Sequence, residues 1–302
     1  MIFKRDSQRA ECPSEFKWAE WKRILNRTRE GVKNDRVSFN AAAVAFYTLL
    51  AVVPVLSAVV SIFGFFTRPD RATAIADQLK GVVPPDALNL IREQLVDLSS
   101  ANTAAGIHSL IAIIIALWGG SKAMKAIMVA MNLAYDEEED RGLLKRKLIV
   151  VGLTAGTTLV IVVATTLLVW WGNLPLWIRI VKWPAIFFFV ALWISIVYRL
   201  TPNRSDAKWR WISPGAVVAT VLWIFTSWIF SLYTSNFGKY NETYGSLGGV
   251  VVLLLWLYLS AVAIIVGAKI NAEMEMETSK DTTVGEPEPM GERGAYVSDH
   301  SA

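Results

Sequence analysis

Six uncharged stretches dominate the sequence and leave few folds open to it: residues 37–67, 98–121, 148–178, 183–198, 211–238 and 243–268. At 1.5 Å rise per residue, a helix of about 20 apolar residues crosses the roughly 30 Å hydrocarbon core of a bilayer. Inside hydrocarbon every backbone N–H and C=O must find its partner within the protein, so runs of this kind form helices rather than lone strands. The fourth run has only 16 residues, but Lys182 and Arg199 at its ends can snorkel, so the helix itself can extend further. The expected fold is an all-α membrane protein, a bundle of six transmembrane helices with amphipathic interfacial helices beside it.

Charge distribution supplies the orientation. Lys and Arg, rather than net charge, mark the cytoplasmic side. Residues 1–36, 122–147, 199–210 and 269–302 together hold 23 Lys and Arg, against 7 in the alternate segments, which places both termini in the cytoplasm of a multi-pass bacterial inner-membrane protein. Only 19% of residues are charged, below the roughly 25% of soluble domains. The net charge of +4 and the pI near 9.1 follow from this topology, so no nucleic-acid partner is expected. Cys12 is the single cysteine, which excludes an intramolecular disulfide and a paired-cysteine zinc site. No apolar h-region precedes residue 37, so the start does not read as a signal peptide.

Three segments follow. Residues 1–36 form a basic amphipathic cytoplasmic arm, with Phe16, Trp18, Trp21, Ile24 and Leu25 interleaved with Lys17, Lys22, Arg23, Arg27 and Arg29. Such a helix either lies on an anionic leaflet or docks on the bundle. Residues 37–272 form the six-helix domain, and residues 273–302, acidic and containing Gly and Pro, read as a disordered cytoplasmic tail. In the outer segment 68–100, Leu88, Ile91, Leu95 and Leu98 recur at helical spacing. Small residues that allow close helix contact occur at Ala41-Ala42-Ala43, at Gly152 and Gly156, and at Gly245-Ser246-Leu247-Gly248-Gly249.

Three motif groups then point to a family. The first is Asn40-Ala41-Ala42-Ala43 through Phe46-Tyr47 to Pro54. The second is Leu117-Trp118-Gly119-Gly120-Ser121-Lys122, continuing to Asn132-Leu133-Ala134-Tyr135 and Arg141. The third runs from Tyr198-Arg199-Leu200-Thr201-Pro202 through Trp211-Ile212-Ser213-Pro214-Gly215-Ala216 and Tyr244-Gly245-Ser246-Leu247-Gly248 to Gly267-Ala268-Lys269-Ile270-Asn271-Ala272-Glu273. In these the chain resembles the YihY/BrkB family of bacterial inner-membrane proteins over roughly residues 18–276. The resemblance implies a six-helix inner-membrane fold. It also brings a ribonuclease label, a virulence-factor label and a connection with lipid or envelope handling, none of which defines a molecular activity.

The residues themselves argue against catalysis. A two-metal nuclease needs clustered carboxylates, and a metal-free one needs histidine or lysine acid–base pairs. No Asp or Glu falls inside the six runs, and the dense cluster Asp136-Glu137-Glu138-Glu139-Asp140 lies in a cytoplasmic loop, where it reads as a solvated turn paired with nearby basic residues. His108 stands alone at the start of an apolar run, and no nucleophile elbow, P-loop or zinc-protease motif is present. No enzymatic activity, catalytic residue, metal or cofactor is expected. The absence of intramembrane carboxylates also disfavours proton-coupled transport.

One feature of the second run stands out. Its apolar character continues past Ser121 to Tyr135, interrupted only by Lys122 and Lys125, so a single helix over 104–135 would be about 48 Å long. These lysines either snorkel to headgroups or face a polar cavity and meet an anionic group such as phosphate, with Arg199 joining them. Lys122, Lys125 and Arg199 are therefore the candidate substrate-binding residues. The function expected is transport or handling of an anionic lipid or amphipathic small molecule. The alternative is a non-catalytic envelope scaffold, and a membrane-bound ribonuclease comes last. Partners are membrane lipids with anionic headgroups at the cytoplasmic face, with a homo-oligomer or an envelope protein partner also compatible.

Overall fold

The structure, a computed structural model, describes residues 10–66, 88–89, 91–93, 96, 107–171, 176–236 and 247–301. A short 3₁₀ turn, Pro13–Glu15, leads into α1 (Trp18–Asn34), followed by α2 (Val37–Phe66), α3 (Ile107–Ala134), α4 (Leu143–Trp171), α5 (Leu176–Leu200), α6 (Trp209–Asn236), α7 (Leu247–Glu277) and a short α8 (Tyr296–Asp299). The fold is all-helical. Among the described residues the β structure is confined to one isolated antiparallel bridge, Ala207 to Thr283.

Helices α2 to α7 overlie the six uncharged runs. Among the described residues, two segments, Trp209–Tyr233 and Gly248–Glu277, are long and apolar enough to cross a membrane, and Val37–Val52 and Pro184–Leu200 are shorter apolar stretches. The second run continues without a break to Ala134, as its composition requires. The fourth extends well beyond its uncharged core, to 25 residues. Residues 88, 89, 91–93 and 96 are helical with Leu88 and Ile91 buried, in keeping with the helical spacing of that segment; Leu95 and Leu98 lie outside the described residues.

Hydroxyls in the spans serve the backbone. Thr48, Thr154, Thr157 and Thr158 each donate to the carbonyl four residues earlier, which satisfies the side chain inside its own helix. The side chains of Thr165 and Thr166 lie outside the description.

In the order of packing, α2 lies against α3 and α7, α6 against α7 and α5, and α4 against α3 and α5. One apolar core joins α2, α3, α5, α6 and α7 through Ala41, Ala130, Met131, Ile194, Ala216, Ala219, Ala261 and Ile265. Its small side chains let backbones approach closely. The tightest approach is between Gly215 of α6 and Gly267 of α7, where a Cβ on either glycine would overlap the carbonyl oxygen of the other. Gly156 packs under the Trp193 ring, whereas Gly152 faces open space, so only one of that pair marks a close contact. Ala41 is fully buried, and Gly245 and Ser246 lie outside the described residues.

One open alternative is decided and one expectation is overturned. The arm helix α1 docks on the bundle, burying Ile24 against Trp211, Ile270 and Met274, and leaves Trp18, Lys22, Leu25 and Arg29 exposed. The tail expected to be disordered from Glu273 is ordered. Helix α7 runs to Glu277, and the chain beyond it folds back under the bundle with Thr278, Thr282, Thr283, Arg293, Val297 and Ser298 buried. Composition misleads here because the polar side chains satisfy one another. Arg293 donates to the carbonyls of Glu288, Ser298 and Ser279, Asp281 accepts from the Thr283 and Glu288 amides, and Asp299 accepts from the Gly291 and Arg293 amides. Val297 then enters the main core beside Tyr135 and Ala207.

The Gly215–Gly267 crossing yields a direct test. Gly215→Ala overpacks it and should cost about 1–3 kcal/mol or more. Gly152→Ala meets only open space and should cost nothing. Thermal unfolding of the detergent-purified proteins, followed by size-exclusion fluorescence, separates the two.

Candidate functional site

The inner end of the bundle is built on the last turns of α7. Lys269, Glu273 and Glu277 stand four residues apart and share one face of the helix. That face meets α1. Arg27 reaches Glu273 and Glu277, each at 2.8 Å, and Arg23 reaches Glu277 at 2.6 Å. Lys269 is buried and bridges three elements, with its ammonium 3.0 Å from Asp35 at the α1–α2 corner, 3.2 Å from Asp136 after α3 and 3.8 Å from Glu273. Asp35 and Asp136 adjoin tight corners in which Arg36 and Asp136 itself adopt the left-handed conformation, with φ of 50° and 56°. Gly31 leaves room for the Lys269 stem, which a Cβ at that position would strike.

A second face of α7 carries Asn271 and Glu275. The Asn271 amide accepts from the Gly215 N–H and donates to the Ile212 carbonyl, both at 2.8 Å, beside Pro214 in α6. Glu275 is fully buried and takes a two-pronged contact from Arg204, at 3.0 and 2.7 Å, together with the Thr282 hydroxyl at 2.6 Å. Burial by itself disfavours the Arg204 cation, but Glu275 outweighs that cost and holds the guanidinium above its ordinary pKa. The same guanidinium lies 5.2 Å over the Tyr135 ring, whose hydroxyl is pushed up by burial.

The acidic run after α3 is a clamp between loops. Glu139 takes both arms of Arg141, each at 2.7 Å, and the Asn132 amide at 2.9 Å; these contacts, Arg141 first, hold its carboxyl below the usual range. Arg141 also donates to the Thr201 carbonyl at 2.7 Å, and Asn132 accepts from the Asn203 amide at 2.8 Å. Glu137 accepts from the Tyr296 amide in the folded tail. Among the described residues no group of three or more His, Cys, Asp or Glu side chains is placed to hold a metal.

The three candidate residues separate. Lys122 and Lys125 are both exposed on α3. The Lys122 ammonium stands 5.4 Å over the ring of Trp118, itself 66% exposed. Lys125 has no ion-pair or hydrogen-bond partner among the described residues. Arg199 is engaged elsewhere, 3.4 Å from Asp206 and 5.0 Å over the Trp209 ring. No contact joins it to the two lysines. Of the histidines, His108 sits in the first turn of α3 and His300 stacks on Tyr296 at 4.1 Å. Sequence alone did not single out Arg204, and it gave no contact role to Lys269, Asn271 and Glu275, the first two of which stand within the third motif group. A signal for them exists in the polar–apolar alternation of Lys269-Ile270-Asn271-Ala272-Glu273-Met274-Glu275-Met276-Glu277, which places polar groups on two helix faces.

Breaking a buried ion pair from one side costs about 3–5 kcal/mol, whereas replacing both partners by apolar groups is close to neutral. Arg204→Met should therefore destabilise the purified protein strongly, and Arg204→Met with Glu275→Met should recover most of the loss in denaturant titrations.

Comparison with known proteins adds an independent line. Over 247 residues the chain is 32% identical to the ribonuclease-like protein YfkH of Bacillus subtilis, covering 77% of this chain and 88% of that protein. A UPF0761 membrane protein of Stenotrophomonas maltophilia is 27% identical over 272 residues, and one of Xanthomonas campestris is 28% identical over 270. In both cases the match covers 84% of this chain and spans only 59% of the longer relative. No solved structure matches. The profile of the virulence factor BrkB family matches residues 28–291, nearly the whole folded chain, and this protein is a membrane protein belonging to that family.

Proposed function

We propose that the chain crosses the bacterial inner membrane six times, with both termini in the cytoplasm, and handles an anionic lipid or amphipathic small molecule without catalysing a reaction. Support for the topology comes from the inner end, where α1, the 136–141 loop, the 201–208 loop and the tail all meet. Of these, α1 carries a dense run of Lys and Arg, and the others add Arg141, Arg204, Lys208, Lys280 and Arg293.

The observation that carries the functional reading is a contrast between cations. Arg23, Arg27, Arg141, Arg204 and Lys269 each face a carboxylate and serve the fold. Among the described residues no carboxylate faces Lys122 or Lys125, and they share their exposed stripe with Trp118, Val129 and Leu133. Two cations held among lipid-facing apolar groups call for an anionic counterpart from outside the chain. The nuclease reading has no such support, because Asp136, Glu137 and Glu139 are engaged by Lys269, the Tyr296 amide and Arg141.

Each lysine near an anionic headgroup contributes about 1 kcal/mol, or roughly fivefold in binding. Mass spectrometry of lipids retained after mild extraction should show anionic phospholipid on the wild-type protein and markedly less on Lys122→Gln/Lys125→Gln. Equal retention by both would end the reading. Stoichiometric copurification of one protein, with no lipid enrichment, would favour a scaffold instead.

A further inference from the structure

The geometry points to a phospholipid site on the outer flank of the α3–α4 pair, in which Lys147 of α4 completes a cationic cradle begun by Lys122 and Lys125. This assignment rests on the proposed lipid-handling role and specifies where and how the lipid is held.

The placement follows from the helix contacts. On α3, Gly120, Met124 and Met128 face α4, and Gly119 faces Ala51 of α2. At roughly 100° per residue, Trp118, Lys122 and Lys125 fall between those two faces, on the side away from the bundle. On α4, Val150, Leu153 and Thr154 face α3, and Gly156 meets Trp193 of α5. Lys147 lies about 180° round from Gly156, on the flank away from α5, with Val151 beside it. Because α3 and α4 run antiparallel, these two flanks open on the same side of the pair. Gly120 approaches Thr154, so Lys125 stands level with residue 149, and Lys147 is less than one helical turn below it.

The surroundings define the occupant. Ile114, Ile115 and Trp118 of α3 and Val151 and Leu159 of α4 are exposed on one side of the lysines. On the other, cytoplasmic side, Val129 and Leu133 of α3 and Leu144 and Leu148 of α4 are also exposed, Leu144 at 73%. Apolar side chains therefore flank the cations on both sides, with Lys145 and Arg146 in the first turn of α4 marking the cytoplasmic edge of this surface. Helix side chains tilt toward the N-terminus, and Lys122 does so here, leaning over Trp118 and away from the inner end. Apolar surface of this extent suits acyl chains, and three cations within it require a compensating anion. A phospholipid supplies both, with its phosphate among Lys122, Lys125 and Lys147 and its chains along Trp118, Ile114 and Val151. Val297, Tyr135 and the Arg204–Glu275 pair are buried at the inner end, whereas the α3–α4 flank is exposed. Entry is thus lateral, from the bilayer.

Native mass spectrometry of the full chain, titrated with phosphatidylglycerol or with phosphatidylcholine of the same chains, tests this assignment. Wild type should prefer phosphatidylglycerol. Lys147→Gln should weaken that lipid about fivefold, leave phosphatidylcholine unchanged, and add to the effect of Lys125→Gln. Lys33→Gln, on the exposed face of α1, should change neither. A wild-type preference that Lys147→Gln leaves intact would overturn the lateral site while sparing the broader reading. No preference in wild type would remove both. Full displacement of the lipid by millimolar inorganic phosphate would show a bare anion site and overturn the lipid assignment.

Discussion

Lys269, Glu273 and Glu277 along one face of α7, with Asn271 and Glu275 along another, hold the inner end of this protein together. Five elements that reach that end are tied to one of these side chains: α1 through Arg23 and Arg27, the α1–α2 corner through Asp35, the end of α3 through Asp136, α6 through the Gly215 amide, and the 201–208 loop through Arg204. In a membrane, apolar helices gain little from meeting each other, because lipid is as apolar as leucine. Directional polar contacts and close backbone approach must then set the geometry. The Gly215–Gly267 crossing and the charged end of α7 supply the two in succession along one helix.

The cost of such an arrangement is desolvation, and the structure offsets it by pairing. Lys269 has three carboxylates within reach, and Glu275 has a two-pronged arginine and a threonine hydroxyl. Against that background, Lys122 and Lys125, exposed and without a carboxylate partner among the described residues, differ from the paired cations of that end. The same side-chain chemistry is buried in ion pairs at one level of the bundle and exposed on the surface of α3 at another.

The helices were legible in the sequence because hydrocarbon length and the exclusion of charge leave a coarse, robust pattern. The unbroken second helix and the extended fourth followed from the same arithmetic. What composition could not reveal was cooperation between distant polar groups. Residues 273–301 look like a solvated tail because each side chain is polar, yet Arg293, Asp281 and Asp299 bond the local backbone and Val297 finds the core only once that loop is closed. Arg204 and Glu275 lie 71 residues apart, and no periodicity links them. Of the candidate residues, Lys122 and Lys125 were readable as oddities within an apolar run. Arg199 was grouped with them by depth alone, and its contacts with Asp206 and Trp209 depend on the fold of the following loop. Lys147 read only as one of the basic residues near the acidic loop, because its side of α4 is fixed by which residues of α4 meet α3 and α5.

The central claim is that the polar end of α7 organises a folded inner face. Hydrogen–deuterium exchange on the full chain in lipid nanodiscs tests it most directly. The account predicts slow exchange for the amides of Thr282, Val284, Arg293 and Ser298, which donate to carbonyl, carboxylate or hydroxyl oxygens within the folded inner face, with protection lost together in Glu275→Ala. Exchange of residues 278–301 at the rate of an unstructured peptide in the wild-type protein would contradict it.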